Sequence, residues 1–262
     1  MTSDARQSGK GTSGGLVLVL AGAVALSGCT ATRQMADAGF VPPEGSYRLV
    51  VMRPDVSVGL LTAGGAFEVR EDWSEQARSH LVAALRAQQA GRGGQVTVAA
   101  TREETGADPA LVADLERLHA AVGQAIAQHK YLGQTLPTKK DRFDWTLGAD
   151  AVAFGRASGF DYALFLHAED SFSSSGRVAL QAVSFLGCMV GVCLMPEGGR
   201  RTAYASLVDL KTGQVVWFNT LASVAGDIRT PEGARDLVHD LLGGMKPGAQ
   251  VQAAGRAAPK KA

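Results

Sequence analysis

The stretch TAYASLVDLKTGQVVWFNTL, residues 202–221, gives the clearest indication of the fold. Every second residue from Tyr204 to Leu210 falls on one face of an extended chain. Lys211–Gly213 then interrupts the alternation, and its glycine supplies the positive φ that a tight hairpin turn needs. The side chains of Val216 and Phe218 are expected to pair with these residues from the following strand. The stretch therefore predicts two long antiparallel strands joined by a hairpin.

Outward from this hairpin, strands and capped helices alternate. Apolar runs predict strands at Tyr47–Met52, Gln95–Ala100 and Tyr162–His167, the last in a central position. Apolar residues at helical spacing behind a capping residue predict helices from Asp72 to Gln88, from Asp108 to Ile126 and from Thr230 to Met245. A shorter helix is predicted from Leu147 to Ala157, with Gly159 past its end. Residues 55–70, with two adjacent glycines, are typical of a long loop or partial hairpin. This order predicts a single α/β (α+β) domain with a mixed sheet of about five strands flanked by helices.

The amino-terminal segment has the pattern of an export signal. Arg6 and Lys10 precede an apolar run from Leu16 to Leu26, which is short for a membrane span. Leu26-Ser27-Gly28-Cys29 resembles the lipobox of bacterial lipoproteins. This resemblance implies cleavage between Gly28 and Cys29, acylation of Cys29 and, with Thr30 instead of Asp next to it, transfer to the outer membrane. The alternative is an ordinary cleaved signal in which the cysteine is incidental.

The chain after the signal divides into three parts. Residues 29–46 lack apolar periodicity and contain Pro42-Pro43, so we expect a flexible tether. Residues 47–246 form the predicted domain, and the Ala/Gly-rich residues 247–262 are expected to be disordered. Without residues 1–28 the basic and acidic side chains balance at 24 each. This balance argues against nucleic acid as a partner.

A resemblance to known proteins rests on the hairpin and on the order of the elements. The alternating strands around Asp209-Leu210-Lys211-Thr212-Gly213 look like those of exported lipoproteins related to the curli secretion component, the penicillin-binding-protein activator LpoB and the amino-terminal domain of TolB. The resemblance covers roughly residues 47–245. It implies a compact α/β domain of envelope assembly proteins that binds other proteins, and it brings no catalytic residues.

One internal segment is unusually apolar. Residues 178–195 (VALQAVSFLGCMVGVCLM) carry no charge and include Gly187 and Gly191 in a G-x-x-x-G pair. One interpretation is a membrane-contacting or oligomer-forming insertion, and the other is a helix or hairpin buried on the domain. Cys188 and Cys193 within it suit a disulfide if the piece is non-helical. Two buried thiols are the alternative, and a zinc site would lack further ligands.

Catalytic motifs are scarce in the sequence. His167 and Glu169 fall on one face of a strand with Asp170 opposite, which is the best acid/base constellation available. The sequence has no G-x-S-x-G elbow and no H-E-x-x-H motif, so we expect no metal and no cofactor. The favoured function is a non-enzymatic binding or assembly factor, lipid-anchored at Cys29 to the outer membrane, facing the periplasm and bound to an envelope protein. The alternatives are an oligomeric secretion or pore component that uses residues 178–195, and a hydrolase centred on His167 and Glu169.

Overall fold

The computed structural model describes residues 30–36, 47–89, 95–134, 136–139, 142–189, 191–193, 196–223, 226–243 and 245. Within these ranges there are eight strands and five α-helices. In chain order they are β1 Thr30–Ala36, β2 Arg48–Val51, β3 Asp55–Leu61, β4 Phe67–Val69, α1 Glu71–Gln89, β5 Gln95–Val98, α2 Pro109–Tyr131, α3 Gly148–Ser158, β6 Tyr162–Ser173, α4 Ser175–Met189, β7 Arg201–Asp209, β8 Val215–Ser223 and α5 Pro231–Leu242.

The eight strands form one mixed sheet, in which six follow the order β1-β8-β7-β6-β2-β5, while β3 pairs with β6 and β4 beside this path. β7 and β8 are the predicted antiparallel hairpin, and β6 lies in the middle of the sheet as its apolar sequence indicates. β2 pairs with the first half of β6 and β3 with the second half, both parallel to it. The prediction of a mixed sheet flanked by helices is confirmed.

Helices cover both faces of the sheet. One apolar cluster packs α1 and α5 against the face that carries Leu164 and Leu166, and the other packs α2 and α3 against the face that carries Phe165. Two helices begin at the predicted caps. The Asp108 carboxylate accepts a hydrogen bond from the Ala110 amide at the start of α2. At the start of α5, the Thr230 hydroxyl oxygen accepts a hydrogen bond from the Gly233 amide.

The prediction of about five strands is wrong, because the described residues contain eight. β3 and β4 pair antiparallel within residues 55–70, so of the two interpretations of this segment the partial hairpin is confirmed and the long loop is wrong. Val56 and Val58 of β3 are buried, and the β3–β4 turn is closed by Gly65 with φ of +86°. The pairing of β3 with β6 joins residues more than a hundred positions apart, so local sequence patterns do not show it.

The tether prediction for residues 29–46 is also wrong at Thr30–Ala36. These residues form β1, an edge strand paired antiparallel with β8 from Thr30↔Ser223 to Ala36↔Trp217. An edge strand is stabilised mainly by backbone hydrogen bonds to one neighbour, so it needs little of the apolar alternation that marks inner strands. Residues 37–46 and the predicted tail, residues 247–262, lie outside the described residues.

Candidate functional site

The constellation His167/Glu169 lies in a groove between helix α2 and the strands β6, β7 and β8. The groove has a volume of about 700 Å³. β6 supplies His167 and Glu169, because alternate residues of a strand share a face. The polar side chains that line it are Gln124, Gln128, His167, Glu169, Arg200 and Thr202. The groove therefore combines hydrogen-bond donors and acceptors with one charge of each sign.

A carboxylate from the neighbouring strand orients His167. Asp55 of β3 is in register with His167, and the Oδ2 atom of Asp55 lies 2.8 Å from Nδ1 of the imidazole. An ionised carboxylate only accepts hydrogen bonds, so Nδ1 of His167 donates. This hydrogen bond is the main reason that the pKa of Asp55 lies below its ordinary value. The imidazole ring also stacks on the Tyr204 ring, with centroids 4.8 Å apart.

A second histidine also lies against the Tyr204 ring. His119 of α2 is buried, its Nε2 atom is 2.6 Å from the Ser206 hydroxyl oxygen, and its ring stacks on Phe165 at 4.3 Å. Burial lowers the pKa of His119 to about 3, so the ring is neutral at physiological pH. His119 and His167 are far apart in the sequence, and only the tertiary fold brings these two to one tyrosine.

The packing of α2 against β7 forms one wall of the groove. The Tyr204 hydroxyl donates to the Ala120 carbonyl oxygen at 3.3 Å, and its ring packs on Gly123. A Cβ atom at position 123 would lie 2.4 Å from Tyr204 Cε2. Glycine at this position therefore lets the helix approach the strand closely.

Glu169 and Asp170 point to opposite sides of the sheet. Glu169 lines the groove, whereas Asp170 is only 3% exposed on the other face and accepts a hydrogen bond from the Ile228 amide. Burial raises the pKa of Asp170 to about 6, although the Ile228 amide and Arg201 act in the opposite direction. The two adjacent acids therefore have different surroundings, and only Glu169 faces the groove with His167.

The groove presents side chains suited to hydrogen bonding and ion pairing with a ligand. The His167 ring stacks on Tyr204 and its Nδ1 atom is engaged by Asp55, while the nearby Ser206 hydroxyl contacts His119. In the part of the chain that the structure describes, no group of three or more histidine, cysteine, aspartate or glutamate side chains could hold a metal ion. Asp55 and His119 had no sequence signal, because their partners lie 112 and 87 residues away.

The apolar segment, residues 178–195, begins as helix α4 and is exposed. Arg177 is the one buried residue that α4 contains among its described side chains. Phe185 is 59% exposed, Leu186 62% and Met189 74%. The interpretation of a segment buried on the domain is therefore wrong. None of the helices in the described ranges is long and apolar enough to cross a membrane.

The two cysteines of this segment are joined by a disulfide. Cys188 lies in the last turn of α4 and Cys193 follows the turn at Gly191, so the bond spans the end of the helix. Gly28 and Cys29, the predicted cleavage and lipidation residues, lie outside the described residues. The strand β1 begins at the residue that follows Cys29.

Comparisons with known proteins give matches to solved structures at low sequence identity. No family model matches the chain, and no curated protein matches it. Among solved structures, the PelC dodecamer from Paraburkholderia phytofirmans is 15% identical with a TM-score of 0.35, covering 82% of this chain and 95% of that chain. A single-residue variant of the same dodecamer is 14% identical with a TM-score of 0.37, covering 82% and 96%. The LpoB C-terminal domain from Salmonella enterica is 13% identical with a TM-score of 0.26, covering 71% and 86%.

Proposed function

We propose that this chain is a lipid-anchored protein of the bacterial outer membrane that faces the periplasm and binds another envelope component without catalysing a reaction. The observation that carries the proposal is the lipobox Leu26-Ser27-Gly28-Cys29, placed directly before a strand of the sheet. Acylation of Cys29 would attach lipid one residue from Thr30, whose backbone is already paired in the sheet. The domain would then lie close to the bilayer instead of at the end of a long linker.

The strength of such an anchor follows from the number of acyl chains. Each buried methylene contributes about 0.8 kcal/mol, and a single chain gives only reversible binding, whereas two or three chains hold a protein durably. The amide and thioether positions of an amino-terminal cysteine accept three chains in lipoproteins of the type that the lipobox resembles. A mature chain starting at Cys29 would therefore stay on the membrane through purification in mild buffers.

The groove supports the binding part of the proposal. Its volume of about 700 Å³ is in the range of ligand clefts, and its polar lining includes amide, hydroxyl, carboxylate and guanidinium groups. The His167 ring, the strongest candidate for catalysis, has partners that explain it structurally, namely Asp55 and Tyr204. A binding role accounts for these contacts without requiring a reaction.

The anchor is tested by metabolic labelling with a palmitate analogue in a diderm bacterial host. The wild type is expected to carry the label and to sediment with membranes, whereas Cys29→Ala is expected to lose the label. Cys188→Ala is the matched control, since it removes a different cysteine and should keep the label. An unlabelled wild type that remains in the soluble fraction would refute the lipid anchor.

The binding role is tested by crosslinking in intact cells. A photo-crosslinking amino acid at Gln128, in the groove, is expected to capture one envelope component that the same amino acid at Lys211 does not capture. Lys211 is a suitable control because its side chain is 77% exposed at the hairpin turn, away from the groove. Equal capture from both positions would contradict a role for the groove.

A further inference from the structure

Helix α4 turns its polar side toward the domain and its apolar side away from it. Arg177, Gln181, Ser184 and Cys188 follow one another at steps of four, three and four, so they lie along one side of the helix. These four are the buried or half-buried side, and the intervening positions are largely exposed. A helix of a water-soluble domain normally turns its apolar stripe inward. Here the polar side faces the protein, and the apolar side, which we call the α4 apolar face, points outward.

The α4 apolar face consists mainly of large hydrophobic side chains, with two exposed alanines among them. The large hydrophobic side chains exposed in and just after the helix are Val178, Leu180, Val183, Phe185, Leu186, Met189 and Val192. The sequence has no charged residue from position 178 to position 196. A contiguous exposed surface of this kind marks a contact with another apolar phase or partner.

The helix is held in place at both ends. At its base the buried Arg177 side chain donates from Nε to the Glu197 carbonyl oxygen at 2.7 Å and from a terminal nitrogen to the Thr62 carbonyl oxygen at 3.0 Å. Along its inner side, the Gln181 amide donates to the Pro196 carbonyl oxygen at 3.3 Å. At its tip the disulfide between Cys188 and Cys193 closes the turn. The apolar face is therefore a preformed feature of the domain.

The sheet register places this helix beside the point of lipid attachment. In the strand register, Thr30 is paired with Ser223, Ser223 is paired with Arg201, and Arg201 is paired with Asp170. All four residues therefore lie at one end of the sheet. Three strand spacings of about 4.8 Å separate the first from the last, or roughly 14 Å. α4 begins at the same end, two residues after β6 finishes at Ser173. Cys29 is one peptide unit, about 3.8 Å between Cα atoms, from Thr30.

We propose that the α4 apolar face inserts into the same membrane leaflet that would hold the acyl chains of Cys29, so that the protein contacts the bilayer through its lipid and through this helix. The inference rests on the proposed lipid anchor. Continuity with that anchor selects the bilayer over a protein partner as the occupant. Fifteen residues of helix reach about 22 Å, which is less than the hydrocarbon thickness of about 30 Å, and the helix is expected to lie at the interface, its apolar side about 5–10 Å deep.

The test uses the mature lipidated chain reconstituted into phosphatidylcholine vesicles that contain brominated lipids, which quench nearby tryptophan. Leu186→Trp adds a fluorophore to the α4 apolar face at a position already 62% exposed. Lys211→Trp is the matched control at the opposite end of the sheet. Eight residues of β7 separate Asp209 from Arg201, or roughly 27 Å. We expect brominated lipids to remove most of the emission that Leu186→Trp adds to the wild-type signal, and to leave the emission added by Lys211→Trp unchanged.

Each other outcome overturns the inference in a recognisable way. Equal quenching of both variants would mean that the domain has no preferred orientation on the bilayer. Vesicle-bound protein whose Leu186→Trp emission is unquenched would refute helix insertion while the lipid anchor stands. The same result together with crosslinks between copies at position 186 would assign the surface to self-association. A chain without acyl groups on Cys29 would refute both the anchor and the inference that rests on it.

Discussion

The buried carboxyl of Asp170 makes a quantitative prediction about pH. Burial raises its pKa from the ordinary 3.8 to about 6 in the folded protein. Between these two values the folded state binds more protons than the unfolded state, so the free energy of unfolding falls as pH rises. The stabilising effect is fully present below about pH 4 and is lost by the time the pH has passed 6. A pKa change from 3.8 to 6 corresponds to about 3 kcal/mol.

The substitution Asp170→Asn removes this titration and keeps an oxygen that can accept from the Ile228 amide. Relative to the variant, the wild type should therefore lose about 3 kcal/mol of unfolding free energy between pH 4 and pH 7. Urea unfolding followed by circular dichroism at half-unit pH steps measures both proteins. The quantity to plot is the difference between their free energies of unfolding.

Asp227→Asn is the control with the opposite sign. Hydrogen bonding from Arg229 is the main cause that lowers the pKa of Asp227, so its contribution to stability is present above pH 4 and is lost as pH falls below that value. The wild type should therefore gain on this variant as the pH rises toward 4, and the difference between the two should stay constant above pH 4. A difference between wild type and Asp170→Asn that is flat, or that grows in favour of the wild type above pH 6, would refute the claim that burial dominates at Asp170.

Three further predictions concern the groove and the core. Gly123→Ala is expected to lower the free energy of unfolding by about 1–3 kcal/mol in urea, because the new methyl group overlaps Tyr204. Gly176→Ala, where the nearest atom to an added Cβ is 3.7 Å away, is the control and should cost nothing; equal losses would contradict the close approach of α2. Phe154→Ala is expected to cost about 3–5 kcal/mol, because this fully buried ring fills the cluster between α3 and the sheet, and a loss below 1 kcal/mol in the same assay would contradict its place in the core. His167→Ala should give the same result as wild type in a broad hydrolase screen, and an activity lost only in the variant would revive the hydrolase alternative.

Local sequence patterns were sufficient to predict most of the fold. The hairpin at Lys211–Gly213 and the helices capped by Asp108 and Thr230 were predictable, because turns and caps depend on neighbouring residues. The strand β3 was not, because what stabilises it is its parallel pairing with β6. The edge strand β1 was missed for a related reason, since its sequence TATRQMA has no apolar alternation and its order comes from β8.

The candidate site was predictable only in part. The shared face of His167 and Glu169 follows from strand periodicity alone. The contacts of Asp55 with His167 and of His119 with Ser206 could not be predicted, because each joins residues far apart in the chain. The exposure of α4 could not be decided from the absence of charge, because an uncharged segment suits both a buried helix and an insertion that contacts a membrane or another copy. Arg177, Gln181 and Ser184 recur at helical spacing along the segment. A polar stripe at helical spacing indicates two distinct sides, and only the structure shows which side faces solvent.

Lipid anchoring at Cys29 is the step on which the proposed location and the bilayer contact of α4 both depend. Mass spectrometry of the intact chain, extracted with detergent from the membranes of an expressing bacterium, examines it at the level of the covalent structure. The predicted mass is that of residues 29–262 plus a diacylglyceryl group and an amide-linked acyl chain. A chain that retains residues 1–28, or that begins at Cys29 with no added lipid, would contradict the lipid anchor and the membrane contact inferred from it.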